Sequence, residues 1–375
     1  MAVTSYGTND PLAVKLWAKT LNVEVLKATW ASKFMGESSD NIIQIRDDTT
    51  KSAGDKITYG LRMQLSGLGV IGDGTLEGNE ESLTTYSDSI VINQLRHAVR
   101  SAGRMSQQRV PFSIRQEALS GLRDWWTNRL DLGFMNQICC NTAESNYVAT
   151  GGTQNTGLQA PFSLPSTSGA TDVHYLSMNA TAGDENITSA NTMTLTMADR
   201  AVERATGSLG LGTSNAGYAP VRPVKVNGSE WYVWFLHPYQ ITDIRTNTST
   251  GQWLDIQKAA MTGGEVEENP IFTGALGAYN NVILHKDQRV TTGVSSATST
   301  TAETTVRRSV IAGAQACTLA YGRESGKEKY TWVEELFDYE NQLGVSAGLI
   351  YGMKSTQFNS SVFGLFVCSS YAAQH

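Results

Sequence analysis

The chain has 375 residues, 40% of them hydrophobic and only 17% charged, with 35 glycines and a formal net charge of −6. That length exceeds the usual single core, so more than one packing unit is expected, and the composition suits a folded, turn-rich protein and excludes a disordered one. The acidic balance excludes a dense basic clamp for duplex nucleic acid, and the absence of both a long apolar run and an export pattern in MAVTSYGTNDPLAVKLW predicts a soluble, unexported protein with no membrane partner.

Pro11 opens an amphipathic helix predicted to reach Met35, with Leu12, Leu16, Leu26 and Trp30 near helical spacing and Gly36 as its stop. So near the start of the chain, Leu16, Trp17, Leu26 and Trp30 have no evident cover in their own subunit, which makes them candidates for contact with another copy. NIIQIR and KITYGLRMQL then read as strands, and TTYSDSIVINQL from Thr84 to Leu95 as their return. The tip between them, SGLGVIGDGTLEGNEESL, carries Asp73, Glu77, Glu80 and Glu81 and has little to bury. The root, RHAVRSAGRMSQQR, carries Arg96, Arg100 and Arg104. Opposite charge at tip and root predicts contacts between adjacent copies, with a solvated face as the competing reading.

Pro111 to Thr142 is the strongest helix, with Ile114, Ala118, Leu122, Trp125, Leu132, Met135 and Ile138 along one face. Asn146 to Ala190 reads as an inserted loop region, and Thr192 to Ala205 as helix. WYVWFL, Trp231 to Leu236, is a buried strand ending at His237-Pro238, with helical signal at Gln240–Ile244 and Trp253–Met261. TTGVSSATSTTAETT, Thr291 to Thr305, is expected at the surface as a low-complexity loop. TWVEELFDY, GVSAGLIYGM and SSVFGLFVCSSY end the chain as strands, so the class is α+β.

Patterns that suggest chemistry fail on inspection. Gly274 and Gly277 are followed by AYNN, without the Lys and hydroxyl of a phosphate loop. Gly67, Gly69 and Gly72 have dinucleotide spacing but no helix signal after them. Ser346 sits in Gly-x-Ser-x-Gly, yet no Asp or Glu follows it and the only later histidine is His375. The histidines at 97, 174, 237, 285 and 375 have no metal-ligand spacing, and Cys139, Cys140, Cys317 and Cys368 form no disulfide framework. No catalytic residue, cofactor or metal is expected.

Four segments carry a family resemblance: FLHPYQITDIR (Phe235–Arg245), NPIFTGALGAYNNVILH (Asn269–His285), SVIAGAQACTLAYG (Ser309–Gly322) and WVEELFDYENQLGVSAGLIYGMKSTQF (Trp332–Phe358). With the layout of the elements, they resemble the major capsid proteins of tailed bacteriophages, of the podovirus-type family and the Hong Kong 97 phage fold. The resemblance implies an N-terminal arm (1–40), an extended hairpin loop (41–108), and a peripheral domain with a long spine helix (109–145 and 323–375). It also implies an insertion (146–190) and an axial domain (191–322). It further implies self-assembly through hexamers and pentamers into an icosahedral head shell. The shell would enclose double-stranded DNA without sequence specificity, and scaffolding, portal and decoration proteins would be further partners. The place of such a protein is the virion, after the host cytoplasm. An encapsulin-like compartment and a serine hydrolase centred on Ser346 are the rival readings.

Overall fold

The computed structural model describes residues 11–47, 54–62, 69–83, 85–109, 113–143, 159–164, 174–179, 183–206, 221–226, 229–247, 249, 278–296, 301–322, 329–358 and 361–374. Helix α1 (Pro11–Ala28) stops earlier than predicted, because Thr29 turns extended and a 3-10 turn, Trp30–Phe34, follows. The short strands β1 (Met35–Gly36) and β2 (Ile43–Arg46) lead to a hairpin, β3 (Lys56–Arg62) and β4 (Thr85–Val91). After it come β5 (Asn93–Arg100), the short α2 (Arg104–Arg109) and the long α3 (Ile114–Ile138). At 25 residues, α3 spans roughly 37 Å at 1.5 Å per residue.

The rest of the chain builds two sheets around α3. Its elements are β6 (Tyr175–Ser177), α4 (Leu195–Thr206), β7 (Val224–Val226), β8 (Ser229–Leu236), α5 (Pro238–Thr246), β9 (Ala278–Tyr279), β10 (Val282–Lys286) and β11 (Thr292–Val294). Then follow β12 (Ala302–Ala312), β13 (Cys317–Tyr321), β14 (Tyr330–Phe337), β15 (Gln342–Ser355), the β16–β17 pair (Gln357–Phe358 and Ser361–Val362) and β18 (Leu365–Tyr371).

The first sheet runs β1-β2-β13-β15-β14, with β5 also on β15. Tyr351 pairs with both Tyr321 and Asn93, and residues 344–349 lie between β14 and β5. Strands β13 and β14 therefore occupy successive stretches of one edge of β15, while β5 takes the other. The second sheet runs β6-β18-β12-β8-β10-β9, with β11 beside β12 and β7 beside β8. Strands β8 and β10 pair in parallel across α5. Alternation along β8 splits its side chains between two cores: Val233 and Phe235 face α3, while Tyr232, Trp234 and Leu236 face α4 and α5. A strand covered on both faces has to be apolar throughout, which explains WYVWFL.

Sheet membership crosses the boundary between residues 322 and 323, since β13 joins β14 and β15 whereas β18 joins β8 and β12. Helix α3 contacts the core of both sheets, and its second half is buried nearly all round. A one-face pattern therefore misplaces two residues: Trp126 and Leu130 are the buried ones, and Trp125 is half-buried in a stack on His97.

Two predicted loops are corrected. Thr291–Thr305 is partly sheet: β11 and the start of β12 fall inside it, and Thr291 and Ser295 are buried. The supposed insertion supplies β6, which pairs with β18, and the buried Asp184. Fully buried Arg308 on β12 donates Nε–H to Asp184 at 2.6 Å and reaches the carbonyls of Cys140 at 2.6 Å, Val294 at 3.3 Å, and Leu164. Tyr175 donates to the same Asp184 at 2.5 Å. Helix α3 ends at Ile138 with Cys139 as its C-cap, so this guanidinium meets carbonyls at the negative end of its dipole. Burial pulls Arg308 toward neutrality, but the Asp184 carboxylate beside it, by charge and by hydrogen bond, helps hold its pKa above the ordinary value. The helical signal at Trp253–Met261 and the pair Gly274 and Gly277 lie outside the described residues.

Candidate assembly surfaces

The hairpin is tied down at its base and uncovered at its tip. At the base, Ile57, Tyr59 and Ile90 pack with Ala320, Phe358 and Phe363. Buried Asp88 accepts from Tyr59 Oη at 3.0 Å, from the Gln357 amide at 2.9 Å and from Lys354. At the tip, residues 71–83 are all exposed, including Ile71, Leu76 and Leu83. Asp73, Glu77, Glu80 and Glu81 share this exposure. Glu80 accepts from the Gly78 amide at 2.7 Å, a contact within the tip itself. Gly69 and Gly72 have φ of +69° and +66°, which glycine tolerates without strain. They serve turns, and no helix follows among residues 69–83; Gly67 lies outside the described residues.

Strand β5 returns the root into the first sheet and leaves Arg96 and Arg100 exposed, while Arg104 opens α2. Arg100 stacks on Phe337 at 4.3 Å, and the Arg104 amide donates to Asn341 Oδ1 at 3.2 Å. The structure thus does not bring tip and root arginines together: among the described residues no ion pair joins Arg96, Arg100 or Arg104 to an acid of the same chain.

The arm helix has cover in its own subunit along one face. Ala18, Leu21 and Val25 of α1 are buried in the core formed with α3 and the first sheet. Trp30 is half-buried, its ring 5.4 Å from Phe235 and 5.1 Å from Phe34. Asp131 of α3 accepts from the Trp30 and Ala31 amides at 3.1 and 3.0 Å, so the spine helix caps the 3-10 turn. Burial raises the Asp131 pKa, although those amides and Arg289 pull it down. Leu26 keeps part of its surface, and the side chains of Leu16 and Trp17 lie outside the described residues.

Among the described residues no catalytic centre is assembled around Ser346. It sits in mid-strand on β15, paired with Ala98 and Val333, and its Oγ is 3.3 Å from the Val333 carbonyl. A nucleophile elbow needs a sharp strand-to-helix turn at that serine. Gly344 and Gly348 instead allow close packing, because an added Cβ would lie 2.6 Å from Phe337 and 2.7 Å from Thr331 respectively. His237 caps α5, its Nδ1 accepting from the Tyr239 amide at 3.2 Å. Burial pushes the pKa of His237 and of buried His174 down to about 4. All four cysteines are buried and free. Among the described residues, no group of three His, Cys, Asp or Glu could hold a metal, and no helix is long and apolar enough to cross a membrane.

Sequence reasoning missed Asp88, Asp131, Asp184 and Arg308, the buried charges that tie distant segments together. Only Arg308 left a signal, as a cation inside the apolar run VRRSVIAGA. It also missed Tyr339, wholly exposed in the turn between β14 and β15.

The likenesses to known proteins extend over nearly the whole chain. The major capsid protein of Pseudomonas phage KPP25 is 27% identical over 368 residues, covering 94% of this chain and 91% of its own. The capsid of Ralstonia phage GP4 is 30% identical with a TM-score of 0.73, covering 100% of this chain and 99% of the other. The capsid of cyanophage Pam1, 18% identical, shares the fold with a TM-score of 0.70 over 93% of this chain and 94% of its own. The fold is that of the Hong Kong 97 phage capsids. The family model for phage capsid proteins matches residues 5–373, and the chain belongs to that family.

Proposed function

We propose that this chain is the major capsid protein of a tailed phage and builds the icosahedral head shell that encloses its double-stranded DNA. The observation that carries the reading is the family match from residue 5 to residue 373, which leaves no large part of the chain for another activity. A structural role also fits the surfaces. The hairpin tip presents three large apolar side chains, Ile71, Leu76 and Leu83, to solvent, and such exposure is expected where copies associate. Copies would gather as hexamers and pentamers, many modest contacts adding to a durable shell. The acids Asp73, Glu77, Glu80 and Glu81, the root arginines Arg96, Arg100 and Arg104, and the arm residues Leu16, Trp17, Leu26 and Trp30 are the proposed contacts. A net charge of −6 suits a wall that leaves packaged DNA mobile. Scaffolding, portal and decoration proteins are the further partners of this reading, and the host cytoplasm is the place of assembly. Catalysis has no part in it. Electron microscopy of the expressed chain is the test: closed shells are expected, and a protein that stays monomeric under all assembly conditions would refute the reading.

A further inference from the structure

A file of aromatic side chains runs from the core under the first sheet to the surface beside β5. Tyr330 on β14 and Tyr351 on β15 are buried, and their rings lie 5.3 and 6.2 Å from that of Trp126 on α3. Trp126 is fully buried as well, and its ring meets Trp125 edge to face at 5.0 Å. Trp125 is half-buried and stacks on the exposed His97 at 4.5 Å, with 17° between the planes. Rings this close exchange electrons readily, so the file is a continuous path from inside to outside.

Proton acceptors give the path a direction. An indole or phenol that loses an electron becomes strongly acidic, and the oxidised ring settles only where its proton can leave. In a dry core the positive charge is left uncompensated. The inner rings have no such outlet: Trp126 Nε1–H has no acceptor among the described residues. Burial raises the pKa of Tyr330 and Tyr351, and the Arg129 guanidinium beside Tyr351 disfavours a further positive charge there. Of these indoles and phenols only Trp125 is substantially open to water. A positive hole anywhere in the file therefore runs outward and stops at Trp125. The core at the inner end holds Met135, Met353, Cys139, Cys140 and Cys317, side chains that oxidation makes polar.

We propose that Trp126 and Trp125 form a relay that draws oxidising holes out of the subunit core and delivers them to the surface. This protective activity goes beyond shell building and does not depend on it. A one-electron oxidant, such as a carbonate radical anion, takes an electron from Tyr330, Tyr351 or Trp126 and is reduced to carbonate. Trp126 refills an oxidised tyrosine, whose phenolic proton has not left. Trp125 in turn gives an electron to the Trp126 radical cation, and the Trp125 radical cation releases its Nε1 proton to water. A soluble thiolate then returns one electron and becomes a thiyl radical, while water returns the proton. The chain ends as it began.

Photo-oxidation of the full chain tests it. Tris(bipyridine)ruthenium(III), generated by a flash with a cobalt(III) quencher, is the oxidant, and peptide mass spectrometry reads where damage collects. In the unsubstituted chain damage should collect at Trp125, and thiol added after the flash should suppress it. W125F closes the outlet with a ring that resists oxidation, so damage at Trp126, Met135 and Met353 should rise severalfold. Exposed Met105, outside the file, should react as before. W126F cuts the path one ring deeper and should raise damage at Tyr330 and Tyr351. Equal core damage in all three chains would overturn the relay, as would a rise shared by Met105, which would mean a loosened subunit and not a lost outlet. Should neither variant fold, transient absorption of the unsubstituted chain decides. A neutral tryptophan radical is expected as the last species before reduction, and a tyrosyl radical in its place would overturn the proposal.

Discussion

Around Arg308 and around the hairpin tip the molecule uses charge in opposite ways. The Arg308 guanidinium is shut away from water and gathers Asp184, the end of α3, β11 and the segment at Leu164. The tip keeps its acids in water, and the bond from the Gly78 amide to Glu80 stays within the tip. A buried ion pair adds little over apolar packing, yet removing one member is costly because the other is stranded. Exposed charges cost the subunit almost nothing to change, and so remain free to act between copies. Among the described residues the charges around Arg308 are answered within the subunit, while the acids of the tip face water.

The hardest blow to that contrast is Arg308→Met. It strands Asp184, and the free subunit should lose about 3–5 kcal/mol in urea unfolding or fail to fold. Adding Asp184→Asn should recover part of the loss, and an Arg308→Met subunit of normal stability would break the contrast.

Acid should act next. Burial lowers the pKa of His174 and His237 to about 4, so the folded state resists protons that the unfolded chain takes up near 6.5. Their contribution is present above pH 6.5 and is lost as pH falls toward 4, each histidine costing up to about 3 kcal/mol. Unfolding at pH 7 and at pH 4.5 measures it, and His237→Gln should flatten the dependence. Asp131 runs the other way. With its pKa raised, its contribution is greatest below the ordinary carboxyl range and declines as pH rises through it. Asp131→Ala leaves two arm amides without their acceptor and should cost about 1–3 kcal/mol, with faster hydrogen exchange at residues 30 and 31.

The smallest effect on the subunit belongs to Glu80→Lys with Glu81→Lys. Stability should move by less than about 0.5 kcal/mol, while shell assembly weakens more at low salt than at high salt. A stability loss as large as that of Arg308→Met would erase the distinction.

What the sequence revealed follows the same division. Periodicity located α3, β8 and the closing strands, because their apolar residues answer to one or two neighbouring layers. It also located the hairpin and its charged tip, where turn residues and local composition decide the structure. It failed where distant segments meet. Leu21 and Val25 find cover on α3 and β14, and no local pattern announces that. The threonine-rich stretch at 291–305 looks like loop until Arg308 and β12 are placed beside it. Of the candidate assembly surfaces, the arginines were legible by their clustering. Tyr339 was not, because only the left-handed turn exposes it.

Hydrogen exchange compared between free subunits and assembled shells tests the central claim most directly. The account predicts fast exchange at residues 69–83 in the free subunit and strong protection in the shell, with α3 and β12 equally protected in both. Equal protection of the tip in both states would contradict it.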